Sequence, residues 1–208
     1  MTEEEARQQI ADTVPRETLD QLDVLARVIL AANQSQNLIA KSTEGVIWQR
    51  HMLDSAQLLW LAQATGRWLD IGSGGGFPGL VVGVMRDDKT WLVEPRAKRA
   101  AFLLAAIQEL GLEQRISVEA GRVERLVCHT PAAVISARAV AALPSLLAMA
   151  EAQSDADTVW VLPKGRNAAS EVAEARREWQ GEFRLVPSLS DPESMIVVAR
   201  GIRRKTRR

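Results

Sequence analysis

The chain contains one cysteine and no tyrosine, and its positive and negative side chains are equal in number, 26 of each. With Cys128 alone, neither an internal disulfide nor a metal site built from several thiolates is possible, and a small buried thiol is expected there. No stretch reaches the roughly 18 uninterrupted apolar residues that a membrane-crossing helix needs. The opening "MTEEEARQQI" is acidic, unlike a secretory or organellar leader, so a cytoplasmic location is expected. Zero net charge speaks against a nucleic-acid partner only as an average. The end of the chain, "RGIRRKTRR", concentrates positive charge, Arg203 and Arg204 included. Such a tail can follow phosphates whatever the base sequence.

The 208 residues, 47% hydrophobic and 25% charged, fit one compact globular domain, expected as a monomer. From Pro15 to Asn33, apolar residues recur at three- and four-residue steps, which predicts an amphipathic helix, and Val46 to Ala64 repeats the pattern. Residues 1–64 therefore read as a helical extension packed on a core formed by residues 65–208. Beyond Thr65, short apolar runs alternate with helical ones, as a parallel sheet with helical crossovers requires. A helix opening at Pro78 and another stopping at Gly111 fit the positional preferences of those residues. The segment "EFRLVPSLSDPESMIVVARG" predicts an edge hairpin turning near Asp191 and Pro192. The expected fold is α/β and Rossmann-like: seven strands, mostly parallel, with a C-terminal antiparallel hairpin and N-terminal helices in front.

The stretch "RWLDIGSGGGFPGL" leads from the first predicted strand into five glycines within eight residues. Such a turn is the usual seat of a nucleotide-like ligand. The dinucleotide fingerprint fits poorly: read from Gly72, its sixth position is Phe77. The register Gly74, Gly76, Gly79 matches but starts late and places Phe77 and Pro78 inside the pyrophosphate turn. The alternative is an acid followed by alternating glycines, met by Asp70, Gly72, Gly74 and Gly76. That pattern suits a cationic ligand with an amino-acid end and an adenosine end, with Asp70 organising the loop around the ligand's amino group. Glu94, at the end of "TWLVE", is placed to accept ribose hydroxyls. Together these features point to S-adenosyl-L-methionine and a class I methyltransferase fold.

Absences narrow the methyl acceptor. The Asn/Asp-Pro-Pro-Tyr/Phe turn commonly used on exocyclic amines is missing, and Cys128 precedes the fourth apolar run rather than ending it, which argues against pyrimidine-carbon chemistry. A ring nitrogen with a free lone pair, such as guanine N7, needs neither device. Arg138, in "ISARAVAAL", could then read guanine O6, bind phosphate or cap the cofactor.

In order along the chain, "NQSQNLIAKST", "RHMLDS", "LDIGSGGGFPGL", "VEPRAKRAAFL", "GRVERL", "SARAVAAL" and "LPKG" resemble the RsmG (GidB) family, bacterial methyltransferases of guanine N7 in small-subunit rRNA. The resemblance implies that Gly72 and Phe77 line the cofactor pocket, with Glu94 at the ribose, Val123 and Glu124 flanking the adenine, and Arg138 beside cofactor and target. It implies 16S rRNA or an assembling small subunit as partner; Arg50 and Lys164 are then the expected RNA contacts, joined by Arg203 and Arg204 of the basic end. His51 is either a catalytic base or an orienting hydrogen-bond partner of Asp54. Two other readings stay open: a nicotinamide-dependent oxidoreductase using the later glycine register, and an RNA-binding module that keeps the fold without the chemistry.

Overall fold

The computed structural model describes residues 1–128 and 130–206. Five parallel strands, β1 (Trp68–Ile71), β2 (Thr90–Val93), β3 (Ile116–Glu119), β4 (Val134–Ala137) and β5 (Val159–Lys164), form one sheet with the antiparallel β6 (Trp179–Pro187) and β7 (Met195–Arg204). The order β3-β2-β1-β4-β5-β7-β6 puts a topological switch between β1 and β4, where the loops after both strands open at the same edge. Ligands of such sheets bind in that crevice.

Alternation along the strands explains the layers. Trp68, Val134, Val159 and Val161 pack on one face with Leu58 and Val82. The next residues, Leu69, Ile135, Trp160 and Leu162, pack on the other face with Leu146, Val172 and Trp179. Helices α3 (Asp54–Ala62) and α4 (Gly79–Met85) thus cover the first face, and α6 (Leu143–Met149) and α7 (Ala168–Glu178) the second. A third cluster joins α1 (Glu3–Ala11) and α2 (Arg16–Gln36) to α4 and α5 (Ala97–Glu109) through Ile10, Leu22, Ile29, Val81 and Phe102.

The structure adds one helix to the sequence reading and departs from it in three places. The acidic N-terminus is a helix: Thr2 Oγ1 accepts from Glu5 N at 3.1 Å while Glu5 Oε2 accepts from Thr2 N at 2.7 Å, a reciprocal cap. The segment carrying "RHMLDS" does not begin as a regular α-helix; Trp48–Leu53 form a wide π-helical turn that leads into α3. Cys128 is only partly buried, in a loop where its Sγ donates to the Thr130 carbonyl at 3.1 Å. The residues from Arg200 to Arg204 belong to β7, paired with β6, rather than to a tail, and Arg207 and Arg208 lie outside the described residues.

Candidate active site

The loop after β1 is fixed from both sides by carboxylates. Asp70 is fully buried; its Oδ1 accepts from Ser136 Oγ at 2.6 Å and its Oδ2 from Gly79 N at 3.1 Å, tying β1 to β4 and to the start of α4. Burial pushes its carboxyl up to about 6, despite the hydrogen bonds that favour the ionised form. Glu94, also buried, closes the loop from β2: Oε2 accepts from Gly74 N at 2.8 Å and Oε1 from Arg96 N at 2.9 Å. Both oxygens expected at a ribose therefore already hold main chain, each with further lone-pair capacity.

Glycine is required at Gly72, where φ is +68° and an added Cβ would lie 2.6 Å from Val140 Cγ2. It is required again at Gly79, where that carbon would lie 2.3 Å from Leu92 and 2.5 Å from Asp70 Oδ2. The glycines thus serve the protein's own packing as well as a ligand, since Val140, Leu92 and Asp70 lie against the bare backbone. The bond from Gly79 N to Asp70 also closes the helix start that a pyrophosphate would need, which counts against the nicotinamide reading.

Two cavities open beside this loop. The smaller, about 190 Å³, lies across the ends of the parallel strands; Gly72, Val93, Val123, Glu124, Val140 and Met149 are among its walls. Largely apolar walls, with Arg122 and Glu124 as the charged residues among them, suit a flat, weakly polar ring such as adenine. The larger, about 560 Å³, is lined by Arg50, His51, Asp54, Arg138, Lys164 and Asp191 among others, and Val140 is a wall of both.

The larger cavity is charge-compensated. Arg138 Nη1 lies 3.3 Å from Asp54 Oδ2, Arg50 Nη1 is 2.9 Å from Asp191 Oδ2, and Lys164 Nζ is 2.9 Å from Glu171 Oε2. Lys164 also donates to the Ala141 carbonyl at 2.7 Å and is 9% exposed. Asp54 is itself held from the β6–β7 turn, its Oδ1 accepting from Ser190 Oγ at 2.8 Å.

His51 sits at the centre. Its ring stacks on Phe77 with centroids 4.8 Å apart, and the Arg138 guanidinium lies 5.1 Å from the same phenyl ring. Arg138 Nη2 is 3.1 Å from His51 Nδ1, and His51 Nε2 is 2.8 Å from Thr43 Oγ1. A guanidinium can only donate, so Nδ1 accepts and the proton of the neutral ring is on Nε2, directed at Thr43. The Thr43 hydroxyl in turn donates to the Ala40 carbonyl at 2.8 Å. Burial, then the charges of Arg138 and Arg50, push the imidazole pKa down to about 3, so the ring is neutral near pH 7. Burial also lowers the pKa of Arg138.

Of the residues expected from the sequence, Arg50, His51, Arg138 and Lys164 therefore line the larger cavity, and Gly72, Val123 and Glu124 the smaller. Asp70, Gly74 and Glu94 build the loop between them, and Phe77 underlies His51 and Arg138. Arg203 and Arg204 are not brought to the site: they pair with Gln180 and Trp179 at the far end of β7, whose opposite end, Met195, pairs with Lys164. Arg204 lies over the Trp179 ring at 5.0 Å and 3.3 Å from Glu151. Sequence reasoning did not find Val140, Met149, Glu171, or Asp191 as a site residue. Only Val140 had a signal, being two residues beyond Arg138 in the same motif.

A Rossmann-like sheet with an acid-anchored glycine loop, a strand-end carboxylate and an apolar slot beside a polar cleft defines a class I, S-adenosylmethionine-dependent methyltransferase. Solved structures share the fold: an O-methyltransferase from Bacillus cereus, in complex with SAH, superposes with TM-score 0.62 at 14% identity over 93% of this chain and 96% of its own. TomG, an O-methyltransferase of Streptomyces achromogenes in complex with SAM, gives 0.56 at 13% identity over 85% and 88%. The chain belongs to the rRNA small subunit methyltransferase G (GidB) family, whose pattern matches residues 18–195. A Rhizorhabdus wittichii protein named ribosomal RNA small subunit methyltransferase G is 48% identical over 96% of this chain and 93% of its own length. One of the same name from Erythrobacter litoralis is 44% identical over 96% and 97%.

Proposed function

We propose that the protein transfers the methyl group of S-adenosyl-L-methionine to N7 of one guanine in 16S rRNA. The observation that carries this reading is the pairing of two cavities through Val140, one an apolar slot and the other polar but charge-compensated. Around Arg138 and Lys164, whose charges are paired and largely covered, the cleft suits an uncharged, hydrogen-bonding ring better than a phosphate. A looped-out base is such a guest.

When bound, the cofactor supplies an electrophilic methyl group on a sulfonium. Gly72, Val123 and Glu124 hold its adenosine end, while Asp70 and Glu94 keep the loop rigid around it. Guanine N7 carries its own lone pair, so no proton has to leave before attack and no base is required. His51 agrees with that: its lone pair is committed to Arg138, so it orients the guanidinium instead of taking a proton. Arg138 has more N–H donors than its bonds to Asp54, His51 and the Arg50 carbonyl use, leaving donors for guanine O6. The protein's contribution is positioning and water exclusion.

Arg50 and Lys164 are the RNA contacts nearest the base, and Arg203 and Arg204 offer a remote one. We take the enzyme to act as a cytoplasmic monomer on 16S rRNA, either free or within an assembling small subunit. Among the described residues, no helix is long and apolar enough to cross a membrane. Incubation with labelled cofactor and either naked 16S rRNA or 30S particles, followed by nucleoside analysis, tests the activity. Label in 7-methylguanosine is expected; label confined to protein or small molecules would reject it.

A further inference from the structure

Among the cations of the larger cavity, Arg50 is held least. Lys164 and Arg138 each have a carboxylate and at least one further protein acceptor, and are 9% and 22% exposed. The Arg50 side chain, 41% exposed, has Asp191 as its one ion-pair partner among the described residues.

Arg50 is the strongest of the groups that hold the Asp191 carboxyl below its usual range, but not the only one. Asp191 Oδ1 accepts from Glu193 N at 3.0 Å and its Oδ2 from Ser194 Oγ at 2.9 Å, both within its own turn. That turn is closed by Ser188 N donating to the Ser194 carbonyl at 2.9 Å. If Arg50 swings away, Asp191 stays hydrogen-bonded and solvated, so no buried charge is orphaned and the exchange is cheap. A carboxylate facing a guanidinium at 2.9 Å occupies the place a phosphodiester oxygen would take, since arginine reads both groups in the same way.

We propose that Arg50 is the phosphodiester-binding group of the cleft and that Asp191 is its built-in stand-in, displaced when the phosphate beside the target base arrives. This rests on the reading of RNA as the substrate. Because RNA must compete with a carboxylate held nearby by its own turn, the pair lowers affinity for single-stranded RNA that offers a phosphate without a base filling the cleft.

The test is anisotropy with a labelled single-stranded RNA oligonucleotide on wild type, Asp191→Asn, Arg50→Gln and the double variant, across a salt series. Asp191→Asn should tighten binding about threefold to tenfold. Arg50→Gln should weaken it and flatten the dependence of log Kd on log salt by about 0.7. In the Arg50→Gln background the Asp191 change should have no further effect. Should Asp191→Asn alter the urea midpoint, Asp191→Ser, which keeps a short oxygen acceptor for the turn, replaces it. Unchanged or weaker binding by the Asp191 variants, equal tightening without Arg50, or no RNA binding by wild type would each overturn the proposal. Binding that follows the expected pattern while rRNA gains no methyl group would instead reject the proposed reaction and leave the phosphate site standing.

Discussion

Protonating His51 would put a cation against Arg138 where a lone pair now sits, and the sign of the resulting pH dependence follows. With a folded pKa near 3 against an ordinary 6.5, the unfolded chain holds a proton between those values that the native ring does not. His51 therefore makes stability rise with pH from about 3 to about 6.5 and adds no slope above that. His51→Asn, which can still offer an oxygen to Arg138, should lessen that acid-side slope in melts taken across the range. His51→Phe keeps the ring but removes the acceptor, and methyl transfer should fall about 10- to 100-fold. In wild type, kcat should stay level from about pH 7 to 9; a limb titrating near 7 would make His51 a base after all. Asp70 works in the opposite direction. Its pKa, raised by burial to about 6 from 3.8, means that the native state holds a proton the unfolded chain has lost, so between about pH 4 and 6 its ionisation lowers stability as pH rises. The effect is worth about 3 kcal/mol, and Asp70→Asn should abolish that decline in denaturant titrations.

The elements around the site were unequally visible in the sequence. The first strand and the glycine loop could be read because alternation and glycine spacing are local patterns, whereas the switch between β1 and β4 is a matter of strand order, which no local pattern carries. Helix α1 could also have been found, since Thr2 and Glu5 stand at the spacing of a reciprocal cap. The wide turn at Trp48–Leu53 leaves no comparable trace, and its start is capped from far away: Glu3 accepts from Trp48 N at 2.9 Å and Gln49 N at 2.7 Å. Glu3→Ala should cost about 1 kcal/mol and weaken RNA binding through Arg50, whose turn it anchors; chemical denaturation and anisotropy would check both. Asp191 and Glu171 were invisible as partners because tertiary pairing brings them to Arg50 and Lys164, and Arg203 and Arg204 were misread because composition suggested a tail where strand pairing prevails. At the loop itself, Gly72→Ala adds a methyl group 2.6 Å from the Val140 side chain at a φ that disfavours alanine. Since Val140 walls both cavities, calorimetry should show at least tenfold weaker S-adenosylhomocysteine binding, with a stability loss of about 1–3 kcal/mol.

At the scale of the whole molecule, the apolar slot lies where β1, β2 and the loops after β3 and β4 converge, with Met149 of α6 as a further wall. A ligand seated there touches segments that the unfolded chain never brings together, so it should bind the native state alone. At about 100 times its Kd, S-adenosylhomocysteine then adds about 2.7 kcal/mol. For a chain of this size, each kcal/mol raises Tm by about 2–4 °C, so the melt should shift by about 5–11 °C. NADH at the same concentration should leave it unmoved, because the N–H that opens α4 is spent on Asp70 and no pyrophosphate seat remains. A shift with NADH as large as that with S-adenosylhomocysteine would mean that this hydrogen bond yields to phosphate and that the glycine loop serves a different ligand.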